Sequence, residues 1–176
     1  DKLNERQRDY LYLVLYTGLR RNEARDLRRL DIDLMEGVLS VPETKTGRPH
    51  TLPITPVMKA ILEGRCAGLK PEDLLFKGVS AEHLSEMAQR QGAPRFMLHD
   101  LRKMVATVGQ KLAISDAVLR RILNHIAPKT DVLNRHYVGL TGDDVREGLE
   151  RIQAEINTLM HKTTPESINA RNNRSP

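Results

Sequence analysis

Six side chains in this sequence are of the types that act on a phosphate ester, and they come in short, recognisable settings. Arg20 closes Thr17-Gly18-Leu19-Arg20, and Lys45 sits in Thr44-Lys45-Thr46-Gly47-Arg48. His99 and Arg102 frame His99-Asp100-Leu101-Arg102, His125 ends Ile122-Leu123-Asn124-His125, and Tyr137 follows alone. A phosphodiester attacked in line spreads negative charge over its two non-bridging oxygens, so a catalyst must hold fixed positive charge there. Arginine suits that task because its planar fork bonds two oxygens at once and stays charged. Arg20 and Arg102 are therefore the candidate clamps.

Tyr137 is the candidate nucleophile. A phenol with a reference pKa of about 10 is ionised in roughly one molecule per thousand at pH 7, so it needs help from cations and a proton acceptor. His99 is the candidate acceptor, and His125 a second donor to a phosphate oxygen. Lys45, at the bend of a hairpin, can hand a proton to the departing 5′ oxygen, which otherwise leaves as a poor alkoxide. Each residue alone has an ordinary reading: a surface arginine, a polar core histidine, a solvated turn lysine, a tyrosine ring with a wet hydroxyl. Their company sets them apart. A metal site built from His99, His125 and His136 with Asp100 or Asp131 is the competing use, but two adjacent arginines would repel a dication, and the carboxylate cluster of two-metal nucleases is missing from the sequence.

These residues must be delivered by elements the sequence also specifies. Asn4 caps a first helix dense in apolar residues (Leu11, Leu13, Val14, Leu15), and Gly18 is its natural stop, so the following turn presents Arg20. A short helix with Glu23, Leu27 and Leu30 follows. Val38 to Val41 and His50 to Ile54 read as strands, with the turn formers of Pro42 to Pro49 between them, which predicts a β-hairpin bearing Lys45 near its bend. Thr55-Pro56 opens a helix to about Gly64, an extended piece lies around Leu74 to Phe76, and another helix runs from Ala81 to about Arg90. Leu101, Met104, Val105, Val108 and Leu112 have helical spacing, which places His99 and Arg102 within one turn. Ser115 caps a helix carrying Val118, Leu119, Ile122 and Leu123, and Asp131 starts a short one ending near Tyr137. After Thr141, the repeat Val145, Leu149, Ile152, Ile156, Leu159 predicts an amphipathic helix.

At 176 residues the chain suits a single core, with 1–162 as the domain. Residues 163–176, polar and without apolar period, are expected to be a disordered tail. The net charge of +5 leaves +6 on the first 141 residues, which fits a polyanionic partner without requiring one. With Cys66 as the only cysteine, neither an intrachain disulfide nor a cysteine-based metal site can be built, and a buried, reduced thiol in the cytoplasm is expected. No apolar run approaches the ~18 residues of a membrane span and no leader pattern is present. Aromatic residues make up 3% with no tryptophan, which argues against a single-strand binder that stacks bases on rings.

Thr17-Gly18-Leu19-Arg20 with Glu23, the hairpin Lys45, His99-x-x-Arg102, Leu123-x-His125 and the lone Tyr137 resemble, in that order, the catalytic domain of the tyrosine recombinases, the phage integrase family. The resemblance spans Thr17 to Tyr137. It implies a mainly α fold with a small antiparallel β-sheet, and a reaction in which Tyr137 forms a 3′-phosphotyrosyl bond and releases a 5′ hydroxyl. That hydroxyl then attacks to rejoin DNA, with no ATP, metal or other cofactor. By the same carry-over Arg20, His99, Arg102 and His125 bind and activate the phosphate, Lys45 is the general acid, Glu23 supports Arg20, and Arg21, Thr46, Arg48 and Lys103 contact DNA.

The implied partners are double-stranded attachment sites, further protomers in a tetrameric synapse joined through the 142–160 helix, and DNA-bending accessory proteins. The setting is a bacterial cytoplasm, on the nucleoid when DNA is bound. A type IB topoisomerase shares this chemistry, and a DNA-binding module that has lost it is the non-enzymatic alternative. Three features depart from the family pattern: Asn124 stands where glycine is usual, Lys103-Met104 replaces a commoner His or Arg followed by Thr or Ser, and the step of 12 residues from His125 to Tyr137 is a few longer than usual. The family's DNA-closing N-terminal domain does not form part of the sequence, so an excised catalytic fragment with weak, salt-sensitive DNA binding is expected.

Overall fold

The structure, a computed structural model, describes residues 3–44, 47–125 and 139–162. Helices dominate it, with one small antiparallel sheet, as expected. Helix α1 (Glu5–Thr17) begins with a reciprocal capping box: Asn4 Oδ1 accepts from the Gln7 amide at 2.9 Å, and Gln7 Oε1 accepts from the Asn4 amide at 2.9 Å. It ends where Gly18 adopts φ 67°, a left-handed cap that sends the chain sharply toward Arg20. Helix α2 (Arg21–Arg25) is shorter than the Leu27 and Leu30 pattern implied. The backbone after it is taken by another segment: the Arg29 amide donates to Asp73 O, Leu30 to Pro71 O, and Leu75 back to Leu27 O. Leu30 consequently lies half exposed rather than in the core.

The hairpin pairs β2 (Val38–Val41) with β3 (His50–Pro53), in the register Leu39 to Leu52 and Val41 to His50. Its inward positions are Leu39, Val41, His50 and Leu52, each at most 3% exposed. A third strand, β1 (Ile32–Asp33), joins β2 on its other side; two residues carry no period, so only the pairing reveals it. Helices α3 (Pro56–Cys66), α4 (Leu84–Arg90), α5 (Leu98–Lys111), α6 (Asp116–Ile122) and α7 (Gly142–Lys162) follow. Cys66 is buried, as its type suggested. The expected short helix from Asp131 to Tyr137 and the tail 163–176 lie outside the described residues. Among those described, no helix is long and apolar enough to cross a membrane.

Helix α1 is central, packed against α5, α3 and α7. Helix α7 lies across α6, α5, α1 and β3, burying Val145, Leu149, Ile152 and Ile156 to 4% exposure or less. Four such side chains contribute on the order of 6–12 kcal/mol of transfer free energy. Polar ties fix its position: Arg146 Nη1 donates to Ile54 O at 2.8 Å, Gln153 Nε2 to Tyr16 O at 3.0 Å, and the Tyr16 hydroxyl to Asn157 Oδ1 at 2.6 Å. The apolar face of the 142–160 helix thus packs on its own domain.

Candidate active site

The site is assembled where α1, α5 and α6 converge. Within Thr17-Gly18-Leu19-Arg20, the buried Thr17 hydroxyl donates to Leu13 O at 2.6 Å and accepts from the Leu19 amide at 3.2 Å, which steadies the turn. Gly18 meets this place for two reasons. Its backbone is left-handed, and a Cβ there would stand 2.8 Å from Leu123 Cδ2 and 3.4 Å from Val105 Cγ1. The turn thus lies hard against both α5 and the end of α6.

Arg20 leaves this turn as the N-cap of α2. Glu23, with its side chain only 5% exposed, holds it at two points: Oε2 accepts from the Arg20 amide at 2.9 Å, and Oε1 from Nη1 at 2.9 Å. A buried carboxylate fixing one guanidinium nitrogen leaves the others to point elsewhere. A groove of about 650 Å³ opens beside it, lined by Arg20, Arg21, Asn22, Arg28, Pro42 and Glu43 among others.

Arg102, on α5, is 5% exposed and donates from Nη1 to Gly18 O and from Nη2 to Leu123 O. One guanidinium therefore satisfies carbonyls at the ends of α1 and α6, groups that helix termini otherwise leave orphaned. Burial, together with the positive charge of Arg20 nearby, brings its pKa down to about 10, against the opposing pull of Glu23. Arg20 and Arg102 consequently share one locality rather than facing opposite sides of the molecule.

Helix α6 ends in a Schellman motif: the His125 amide donates to Arg120 O at 2.9 Å, the Asn124 amide to Arg121 O at 3.4 Å, and Asn124 is left-handed with φ 46°. The motif turns His125 toward the arginines. Burial, then the charges of Arg102, Arg20 and Arg120, push its pKa below the usual histidine value, with Asp116 opposing. That shift favours the neutral imidazole, which can give a hydrogen bond through one nitrogen and accept through the other. Arg20, Arg102 and Glu23 sum to one positive charge, which matches the single negative charge of a phosphodiester.

The remaining residues singled out from the sequence are placed less centrally. His99 is exposed in the first turn of α5, beside Asp100, whose carboxylate is held low mainly by the Met97 amide and Lys103. Lys103 is exposed and pairs with Asp100 at 3.0 Å; Arg21 is exposed and pairs with Glu82 at 3.2 Å; Arg48 is exposed. Lys45, Thr46 and Tyr137 lie outside the described residues. Among the described residues, no group of three or more His, Cys, Asp or Glu side chains is arranged to hold a metal ion.

One residue escaped sequence reasoning. His50 is 2% exposed on β3, with Nε2 at 3.1 Å from Ile122 O. The signal was its register, since alternation along His50-Thr51-Leu52 puts it on the inward face with Leu52.

Residues 1–138 match the sequence model of the phage integrase family, a segment that includes every residue named above as a candidate for chemistry. The chain belongs to the phage integrase family. It is also similar to tyrosine recombinase XerA of Saccharolobus solfataricus, 32% identical over 156 residues, which cover 87% of this chain and 51% of that protein. The chain thus spans about half the length of that curated relative. Membership in the phage integrase family gives the Asn124 departure a physical reading. The position before His125 is left-handed, where glycine is free and asparagine is the best tolerated of the other residues, so Asn124 is compatible with the turn.

Proposed function

We propose that this chain is the catalytic part of a site-specific DNA recombinase serving integration or excision of a mobile element. The observation that carries the reading is the proximity of Arg20, held by the buried Glu23, to Arg102 and His125, a cationic locality suited to one phosphodiester. Tyr137 attacks the phosphorus and becomes joined to the 3′ end. Arg20 and Arg102 neutralise the charge that develops on the non-bridging oxygens, and His125 donates to one of them. His99 or His125 takes the phenolic proton, and Lys45 protonates the departing 5′ oxygen. Attack of a 5′ hydroxyl from a partner strand reverses these steps and returns the phenol. Bond energy is conserved in the phosphotyrosyl linkage, so neither ATP nor a metal ion is required.

The likeness to a protein named tyrosine recombinase supports the reading, as does the matched family segment ending one residue beyond Tyr137. Double-stranded attachment sites, contacted by Arg21, Thr46, Arg48 and Lys103, are the proposed substrate. Further protomers, joined through the 142–160 helix, and DNA-bending proteins complete the synapse.

Incubation with a nicked duplex that loses its 5′ fragment tests the reading. A covalent adduct of the unaltered chain, absent in Tyr137→Phe although that variant still binds DNA, is the expected result. An adduct that persists in Tyr137→Phe removes Tyr137 from the mechanism. Supercoil relaxation without strand exchange would instead favour topoisomerase chemistry.

A further inference from the structure

We infer that His50 is a positioning residue for the proposed reaction: it ties the base of the β2–β3 hairpin to the last turn of α6 and so holds His125 among the arginines. Three observations support this. The Val41 to His50 pair is the last of the hairpin before the connection that bears Lys45, so whatever holds His50 sets where that connection begins. The acceptor of its ring nitrogen is Ile122 O, and the next carbonyl along, Leu123 O, is the acceptor of Arg102. Two consecutive orphan carbonyls at the end of α6 are thus satisfied by side chains from two different elements, immediately before the left-handed Asn124 and His125.

The third observation is that the site is built for an imidazole. The other inward positions of these strands, Leu39, Val41 and Leu52, are apolar, and a polar side chain at 2% exposure costs free energy unless bonded. Burial above all, helped by the charges of Arg121 and Arg102, keeps the ring uncharged against the opposing pull of Glu23 and of the Ile122 carbonyl, its pKa lowered to about 4. A neutral ring with its proton on Nε2 donates steadily to a carbonyl throughout the physiological range. A second, exposed tie runs in parallel, from Arg121 Nη2 to Thr51 Oγ1 at 3.2 Å. The outer tie can exchange with water; the inner one cannot.

Replacement separates the tie from mere filling of space. His50→Gln retains an amide N–H near the Nε2 position, whereas His50→Leu retains bulk and loses the donor. Histidine ring signals of the full chain, assigned by single replacements, would be titrated by NMR in all three proteins. In His50→Leu the midpoint of His125 should rise toward the ordinary histidine value, because the turn is no longer held beside Arg102 and Arg20; in His50→Gln it should stay low. On the nicked duplex, a part that rests on the DNA-cleavage reading, His50→Leu should lower the single-turnover rate of adduct formation at saturating DNA by about 10- to 100-fold with little change in the DNA concentration that gives half that rate, while His50→Gln recovers most of the rate.

An unshifted His125 midpoint in His50→Leu overturns the inference, and so does equal impairment of the Gln and Leu variants, which would reduce His50 to a core residue. If the titrations diverge as expected while the unaltered chain forms no adduct, the tie stands and the cleavage reading is what fails.

Discussion

Replacing Gly18 by alanine places a methyl group at the joint on which the site depends. Two costs follow from the geometry. A residue with a Cβ in the left-handed region at φ 67° costs about 1–2 kcal/mol. The new Cβ also lands 2.8 Å from Leu123 Cδ2 and 3.4 Å from Val105 Cγ1, both on side chains at most 3% exposed, so the strain of overpacking adds about 1–3 kcal/mol. The sum, about 2–5 kcal/mol, corresponds to a Tm lower by about 4–20 °C in a chain of this size. Gly68→Ala is the internal control, since Gly68 has φ 72° but nothing within 4 Å of its would-be Cβ, and it should show the backbone cost alone. Thermal melts followed by circular dichroism supply the comparison. Adduct formation should fall further in Gly18→Ala than its stability alone explains, because Gly18 O and Leu123 O are the two acceptors that aim Arg102. Equal melting of the two variants would refute the close approach of the turn to Leu123.

Acid should weaken the fold in a defined window. His50, neutral in the folded state until about pH 4, is protonated in the unfolded chain below about pH 6.5, so the unfolded state binds more protons between these values and stability falls as pH falls through them. The loss is on the order of 3 kcal/mol, and denaturant midpoints in His50→Gln should show a shallower slope there. His125, lowered in the same sense, steepens the unaltered chain's slope. Ending the chain before Gly142 should expose the partners of Val145, Leu149, Ile152 and Ile156 and leave no cooperative melt, and the Tm of the intact chain should not depend on its concentration; a truncated chain that melts sharply would mean that α7 docks elsewhere. Lys45→Ala should cleave ordinary DNA poorly yet recover when the leaving oxygen is sulfur, which departs without a proton; no recovery would remove Lys45 as the acid.

Local signals carried much of the architecture. Asn4 and Gly18 bracket α1, Ser115 caps α6, and the steps of three and four after Thr141 mark α7, because caps and periods are properties of neighbouring residues. What they could not carry is the identity of the surface each element meets. The α7 stripe reads alike whether it packs on its own domain or on another. β1 exists only through β2, and Leu27 and Leu30 left their helix because residues 71–75 claimed the backbone. At the candidate site, residue type and order singled out Arg20, Glu23, Arg102 and His125, which lie in one locality. The two carbonyls that hold Arg102, and His50 as a partner of α6, arise from contacts between segments 21 to 84 residues apart, on which no sequence pattern bears.

The account rests on Arg20 and Arg102 meeting charge on the non-bridging oxygens of one phosphate. Single-turnover cleavage of two suicide duplexes, one with an ordinary scissile phosphate and one with a neutral methylphosphonate there, measures that directly. Arg20→Ala should cut the phosphate about 100- to 1000-fold more slowly than the unaltered chain, yet cut the methylphosphonate at nearly the unaltered rate, since no charge remains for the arginine to offset. Equal impairment on both substrates would contradict the account.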